Sequence, residues 1–182
     1  MNSGSVFEPS RDGEVQDRPF VISGCSNGAE GGVLLMKLSA AGLELIKRSE
    51  GFREQVYRDV AGLPTIGYGH RVKPGESFVK GVNEAQAAAM LENDVIEAER
   101  TVERLVRVTL TQGQFDALVD FCFNLGAGRL KTSSLLRELN AGRYGIAGEQ
   151  LLRWDFAGGV VNSGLRARRQ AEFGLWSKGR AA

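Results

Sequence analysis

Glu50, Asp59 and Thr65 stand in a glycine-punctuated stretch: Glu50-Gly51-Phe52-Arg53, Tyr57-Arg58-Asp59 and Thr65-Ile66-Gly67-Tyr68-Gly69-His70. Eight residues separate Glu50 from Asp59, and five separate Asp59 from Thr65. Paired carboxylates on a turn-rich scaffold suit the cleavage of a glycosidic bond. One carboxyl must keep its proton to donate to the leaving oxygen. The other stays ionised to steer a water or to stabilise an oxocarbenium-like transition state. Each residue also has a plainer reading, Asp59 as a turn residue and Thr65 as a β-former. Their setting decides between the two.

That setting is a series of elements with clear local signals. Ser39 is a suitable N-cap for a helix to about Ser49, with Leu43, Ile46 and Lys47 at helical spacing and Gly51 as its stop. Glu50 then falls at the C-terminal end, where the helix dipole disfavours a negative charge. This is a poor position for stability and a good one for an acid that must hold its proton. From Phe52 to about Val82, Gly62, Gly67, Gly69, Gly75 and Gly81 alternate with short β-branched and aromatic runs, predicting a small antiparallel sheet. Asp59 lies near one of its turns and Thr65 begins the next strand.

Asn83 caps a long helix to about Val106, with Leu91, Val95, Ala98, Val102 and Leu105 as its core stripe. Thr111 and Gln114 form a capping box for the next helix, where Phe115, Leu118, Val119 and Cys122 make a buried face and Gly126 ends the element. Shorter helices are expected at about 132–141 and 145–154. A last one is expected over about 164–177, anchored by Phe173 and Trp176. The fold class is α+β, mainly helical. A β-lobe of about residues 52–82 is joined by the long helix to a helical lobe of about 83–178, with a cleft between them.

The spacing of Glu50, Asp59 and Thr65 resembles the catalytic triad of the phage-type lysozymes, the muramidase endolysins. Phe121-Cys122-Phe123-Asn124-Leu125-Gly126, Ser133-Ser134-Leu135-Leu136, Leu139-Asn140-Ala141-Gly142 and Gly164-Leu165, Arg168-Arg169 and Glu172 recur in that family's order, so the resemblance covers about residues 38–177. Several ordered motifs are far more specific than one short pattern. The resemblance implies a two-lobed lysozyme-like fold and hydrolysis of the β-1,4 bond between N-acetylmuramic acid and N-acetylglucosamine. In that scheme Glu50 is the general acid, Asp59 steers the water and Thr65 holds it. It also implies inversion at the anomeric carbon, which calls for carboxyls roughly 6.5–9.5 Å apart.

Tyr68, His70, Phe123, Asn124, Ser134 and Gln150 are the candidate saccharide contacts. His70 is equally readable as a structural hydrogen-bonding residue and Asn124 as a helix C-terminal cap. An amide suits an N-acetyl group because it donates and accepts at once. Arg168 and Arg169 are implicated in the electrostatics of the site, because in the family an arginine of the final helix approaches the catalytic glutamate. That raises a tension, since a nearby cation favours the ionised acid. The alternative reading is that these arginines only bridge the lobes.

At 42% hydrophobic and 25% charged residues, the 182-residue chain reads as one globular unit of two lobes, expected to be a monomer. The net charge of +1 is unevenly placed. In residues 1–36, Glu8, Asp12, Glu14, Asp17 and Glu30 face Arg11 and Arg18, which makes −3 and leaves +4 for the remainder. The basic body suits an anionic polymer such as bacterial peptidoglycan. It lacks the interleaved aromatics and modules of nucleic-acid binders, so no nucleic-acid partner is expected. His70 is the sole histidine and no metal-ligand spacing occurs, so neither a metal nor a cofactor is expected. Of the two cysteines, Cys122 is expected in the core, while Cys25 lies in the leader. A bridge between them is left open.

Residues 1–36 match nothing in the family and read as a flexible acidic leader, either a dispensable tail or a restraint folded over the cleft. No secretory or transmembrane run is visible: Val33-Leu34-Leu35-Met36 is far below a secretory core of roughly 7–15 residues. The expectation is residence in the host cytoplasm until a partner, such as a holin-type membrane protein, releases the enzyme to the periplasm or wall. Three rivals remain: a lysozyme toxin delivered by its leader, a non-catalytic wall-binding module on the same fold, and a membrane-disrupting protein acting through its last helix.

Overall fold

The computed structural model describes residues 35–59 and 61–178. The expectations for residues 1–34, Cys25 included, lie outside the described residues. Met36 is buried in the core, and the Leu38 N–H donates to Glu99 Oε1 at 2.8 Å. Packing therefore begins one residue inside the stretch assigned to the leader.

Helix α1 (Ala40–Glu50) is capped by Ser39, whose side chain accepts from the Gly42 N–H. It stops at Gly51, which takes φ 72° and returns its N–H to Lys47 O, as the sequence predicts. Strands β1 (Arg53–Arg58), β2 (Pro64–Gly67) and β3 (His70–Arg71) form an antiparallel sheet in that order. Tyr57 pairs with Thr65, and Ile66 with His70. Thr65, Ile66 and Gly67 turn to the core while β1 is exposed along its length.

The expected long helix is two helices, α2 (Glu84–Asp94) and α3 (Ile96–Leu105). The chain steps at Val95, whose N–H reaches both Leu91 O and Asn93 O. Two tertiary demands meet there. Asp94 Oδ2 lies 2.7 Å from His70 Nδ1 of the β-lobe, while Val95, Ala98 and Val102 stay in the helical core. A kink with such a cause is not flexibility. The core stripe survives it, except that Leu105 is only partly buried.

Then follow α4 (Gln112–Leu125), α5 (Ala127–Thr132), α6 (Ser134–Asn140), α7 (Tyr144–Leu151), the hairpin β4 (Phe156–Ala157) and β5 (Val160–Val161), and α8 (Ser163–Lys178). The capping boxes at Asn83–Gln86 and Thr111–Gln114 are both formed. Helix α4 is buried on every face from Gln114 to Cys122, and packs against α1, α3, α5 and α8. Burial pushes the Cys122 thiol up to about 11, so it behaves as a small apolar side chain.

Helix α5 and the β4–β5 hairpin were not expected from the sequence. Trp176 anchors α8 as predicted, but Phe173 is only partly buried. The buried stripe of α8 is Arg168, Arg169, Glu172 and Trp176. Three of the four are charged, so hydrophobic patterning points to the wrong face.

Two helical glycines predict opposite outcomes. A Cβ on Gly148 would lie 2.7 Å from Trp176 Cδ1 and Nε1, and Trp176 cannot yield because it is buried and donates to Tyr144 O at 3.1 Å. Overpacking costs about 1–3 kcal/mol, against a helix-propensity gain of about 0.5–1 kcal/mol. Gly148→Ala is therefore expected to lower Tm. Gly174 has open space around its position, so Gly174→Ala should raise Tm in the same thermal melts.

Candidate active site

Helix α1, the β1–β2 turn and the C-terminal end of α4 converge on a cleft of about 450 Å³. Glu50, Tyr57, Asp59, Thr65, Phe123 and Asn124 line it. Five of these are sequence-predicted site residues, brought together from three separated segments. Tyr57, Arg71, Lys73 and Asp94 also line it and were missed as site residues. Tyr57 has a readable signal, since its register opposite Thr65 follows from a tight hairpin.

Glu50 is the last residue of α1, so its carboxyl projects past the helix end with its side chain 26% exposed. A Cβ at Gly69 would come within 3.5 Å of Glu50 Oε2, and glycine there lets the β-lobe backbone approach the acid. Asp59 is half-buried and fixed by its turn: Oδ1 accepts from the N–H groups of Ala61 and Leu63, each at 2.8 Å. Oδ2 has no hydrogen-bond partner among the described residues, which leaves it free to accept from water. Thr65 Oγ1 donates to Leu63 O at 3.1 Å. Its lone pairs remain available to a water proton.

Behind Glu50 lies a buried ionic network. Arg168 Nη1 donates to Glu50 Oε1 at 2.7 Å. Its Nε and Nη2 donate to Asp120 Oδ2 and Oδ1 at 3.0 and 2.8 Å. Desolvation opposes the charge on Arg168, but Asp120 and Glu50 outweigh it and hold the guanidinium more firmly protonated than usual. Asp120 takes two of the three bonds and so balances most of the cation. Asp120 was also missed by sequence reasoning. An acid inside Leu118-Val119-Asp120-Phe121-Cys122 had no visible partner, and a buried acid requires one.

Arg169 and Glu172 are fully buried and approach to 2.6 Å. Burial raises the Glu172 pKa well above the usual carboxylate range, and the neighbouring Asp120 carboxylate pushes it the same way.

Tyr68 and His70 do not line the cleft. Tyr68 is buried, its ring centroid 5.6 Å from that of Phe52. His70 is 6% exposed, with Nδ1 2.7 Å from Asp94 and Nε2 3.0 Å from Glu76. Both ring nitrogens are engaged, so His70 is the structural residue of the two readings. Ser134 and Gln150 bond each other at 2.8 Å and also lie off this cavity. Asn124 does not cap α4, a position that Gly126 takes. Its Oδ1 instead accepts from Arg169 Nη2 at 3.0 Å.

The His70 cluster gives a pH dependence of stability. Burial opposes the imidazolium, but the hydrogen bonds and charges of Glu76 and Asp94 win, and the pKa rises above 6.5. Glu76 is lowered, by the Lys73 backbone N–H first and His70 second. A raised folded-state pKa means that the His70 contribution is full below 6.5 and is lost as pH climbs through the raised value. The Glu76 contribution is present above its ordinary value and is lost on acidification. His70→Gln is thus expected to depress Tm more at about pH 5.5 than at about pH 9. Equal depressions in melts at the two values would remove the charged clamp.

Fold and site together define a two-lobed, lysozyme-like α+β protein in which Glu50 and Asp59 line one cleft. The chain belongs to the phage lysozyme family, whose model matches residues 47–172. It is 42% identical over 149 residues to the endolysin of Bacillus phage B103, covering 79% of this chain and 55% of that one. The chain thus spans little more than half the length of that relative. Among solved structures, a mutant of P22 lysozyme superposes with a TM-score of 0.72 at 35% identity, over 78% of this chain and 99% of that one. The muramidase domain of SpmX from Asticaccaulis excentricus gives 0.70 at 38% identity, over 77% and 97%.

Proposed function

We propose that this protein is a peptidoglycan-degrading muramidase of the endolysin type. It would hydrolyse the β-1,4 bond between N-acetylmuramic acid and N-acetylglucosamine. The observation that carries the reading is the convergence of Glu50, Asp59 and Thr65 on one open cleft, each with a hydrogen-bonding capacity that fits a separate step. Glu50 delivers its proton to the glycosidic oxygen as the bond to the anomeric carbon breaks. A water held by Thr65 and the free Oδ2 of Asp59 attacks that carbon from the other face, and Asp59 takes its proton. The configuration inverts. Asn124 and Phe123 contact the sugar, and Arg168, shared with Asp120, orients Glu50.

Among the described residues no helix is long and apolar enough to cross a membrane. Access to the wall is read as release by another component, and a membrane-permeabilising protein of holin type is the proposed partner. The enzyme acts as a monomer, held in the host cytoplasm until release and active in the periplasm or wall.

Mass spectrometry of products from purified peptidoglycan tests the bond. Reducing N-acetylmuramic acid ends are expected. Reducing N-acetylglucosamine ends or anhydro ends would overturn the bond or the mechanism, and binding without products would leave a wall-binding module.

A further inference from the structure

Two cations, Arg71 and Lys73, line the cleft beside its carboxylates. The sheet register places the first of them: Tyr57 pairs with Thr65 between β1 and β2, and Thr65 with Arg71 between β2 and β3. Residues directly opposite across strands share a face, with Cβ atoms about 5 Å apart. Tyr57, Thr65 and Arg71 therefore form one row across the sheet, and all three line the cleft. Past β3 the alternation continues. His70 is buried and Val72 packs against the core, while Arg71 and Lys73 are exposed. In an extended chain two such positions stand on one side, about 7 Å apart.

Each acid lining the cleft already has a partner. Arg168 donates to Glu50, His70 lies against Asp94, and backbone N–H groups hold Asp59. Glu76, the acid nearest to Lys73 in sequence, accepts from the Lys73 backbone N–H and pairs with His70. The side chains of Arg71 and Lys73 make no hydrogen bond or ion pair among the described residues. Solvated cations are ordinary on an open surface. In the wall of a substrate cleft, one of them in register with Thr65, they are charged donors without an internal acceptor, and the chemistry that fits them is an anion. A neutral glycan has no such group. A muramic residue does: its lactyl ether ends in a carboxyl, free in bare glycan and amide-linked in substituted wall to a stem peptide with carboxylates of its own.

We propose that Arg71 and Lys73 are specificity-determining residues that bind a carboxylate borne by the muramic residue. The cleft thereby selects an anionic glycan over a neutral one of the same backbone. The inference rests on the reading of this cleft as a glycan site.

The test is steady-state kinetics of the full chain on three forms of one peptidoglycan preparation. One is intact, one has its carboxylates capped as neutral methylamides, and one is stripped of stem peptides by an amidase, which frees the lactyl carboxylates. Wild type is expected to show a KM about tenfold higher on the capped wall than on the intact one, about threefold for each of two exposed ion pairs. Its kcat should change little, and the difference should shrink at high salt. Arg71→Gln/Lys73→Gln should raise KM on the intact wall to the capped-wall value and be indifferent to capping. Arg71→Lys/Lys73→Arg keeps both charges and should keep the preference. Arg100→Gln/Arg107→Gln removes two exposed cations that do not line the cleft and should also keep it, which separates local contact from net charge. On the stripped form, a KM that still depends on Arg71 and Lys73 assigns the lactyl carboxylate. Loss of that dependence assigns the carboxylates of the stem peptide.

A glutamine double variant that keeps the wild-type preference would overturn the proposal. So would loss of the preference in Arg100→Gln/Arg107→Gln, since net charge alone would then account for it. Wild type cleaving none of the three forms would overturn the glycan reading and this inference with it. Cleavage by wild type with equal KM on intact and capped walls would remove the role of the two cations alone.

Discussion

Glu50→Gln is expected to lower turnover on peptidoglycan by about 10²–10⁴-fold while leaving the fold and wall binding intact. The amide has the size and polarity of the acid but no proton to give the leaving oxygen. It also gives up the charge of the 2.7 Å contact with Arg168, yet Arg168 keeps both bonds to Asp120. With the Glu50 side chain 26% exposed, the stability cost should stay within about 1 kcal/mol. Loss of rate is therefore separable from loss of fold. Turbidity assays, thermal melts and wall pull-down on one preparation check this. Turnover within tenfold of wild type would remove Glu50 as the acid, and unfolding would assign its conservation of geometry to stability instead.

The second large effect is expected at Arg168. Arg168→Met should destabilise the protein by about 3–5 kcal/mol, because Asp120, fully buried, loses both of its hydrogen bonds to Arg168 and keeps only Arg169, at 4.0 Å, as a counter-charge. Removing both charges should restore most of the loss, so Arg168→Met/Asp120→Leu is expected to be far more stable than the single variant. Denaturant unfolding of the two singles and the double measures the coupling. The same variant tests the site. Without its 2.7 Å contact to Arg168 Nη1, Glu50 loses the partner that orients it, so kcat of the folded fraction on peptidoglycan should fall. A single variant as stable as wild type would show that Asp120 finds another partner, and an unchanged kcat would remove Arg168 as the residue that orients Glu50.

Local chemistry written in short segments was legible without a structure. Ser39, Asn83 and Thr111 cap where their side chains say they should, because a cap needs only the backbone three residues away. Gly51 ends α1 for an equally local reason, and so Glu50 is placed at a helix end by sequence alone. Asp59 in a turn and Thr65 at a strand start follow from the glycine-punctuated run between them. The hairpin β4–β5 was also legible and was missed. Gly158 and Gly159, at φ 59° and 81°, sit between two apolar dipeptides, the pattern of a two-residue turn.

The partners of those groups were decided only by tertiary structure. His70 meets Asp94 and Glu76 because the β-lobe folds onto the end of α2, and that contact coincides with the step in what the sequence reads as one helix. Asp120 meets Arg168, 48 positions further along the chain, across the packing of α4 on α8, whereas Glu172 meets Arg169 one turn away on α8 itself. Patterning cannot register a buried face made of charges, since it assumes that charge faces water. The residues that do the proposed chemistry were thus fixed by sequence. The buried charges that hold and aim them were fixed by burial, because a charge removed from water must find its partner wherever the fold brings one.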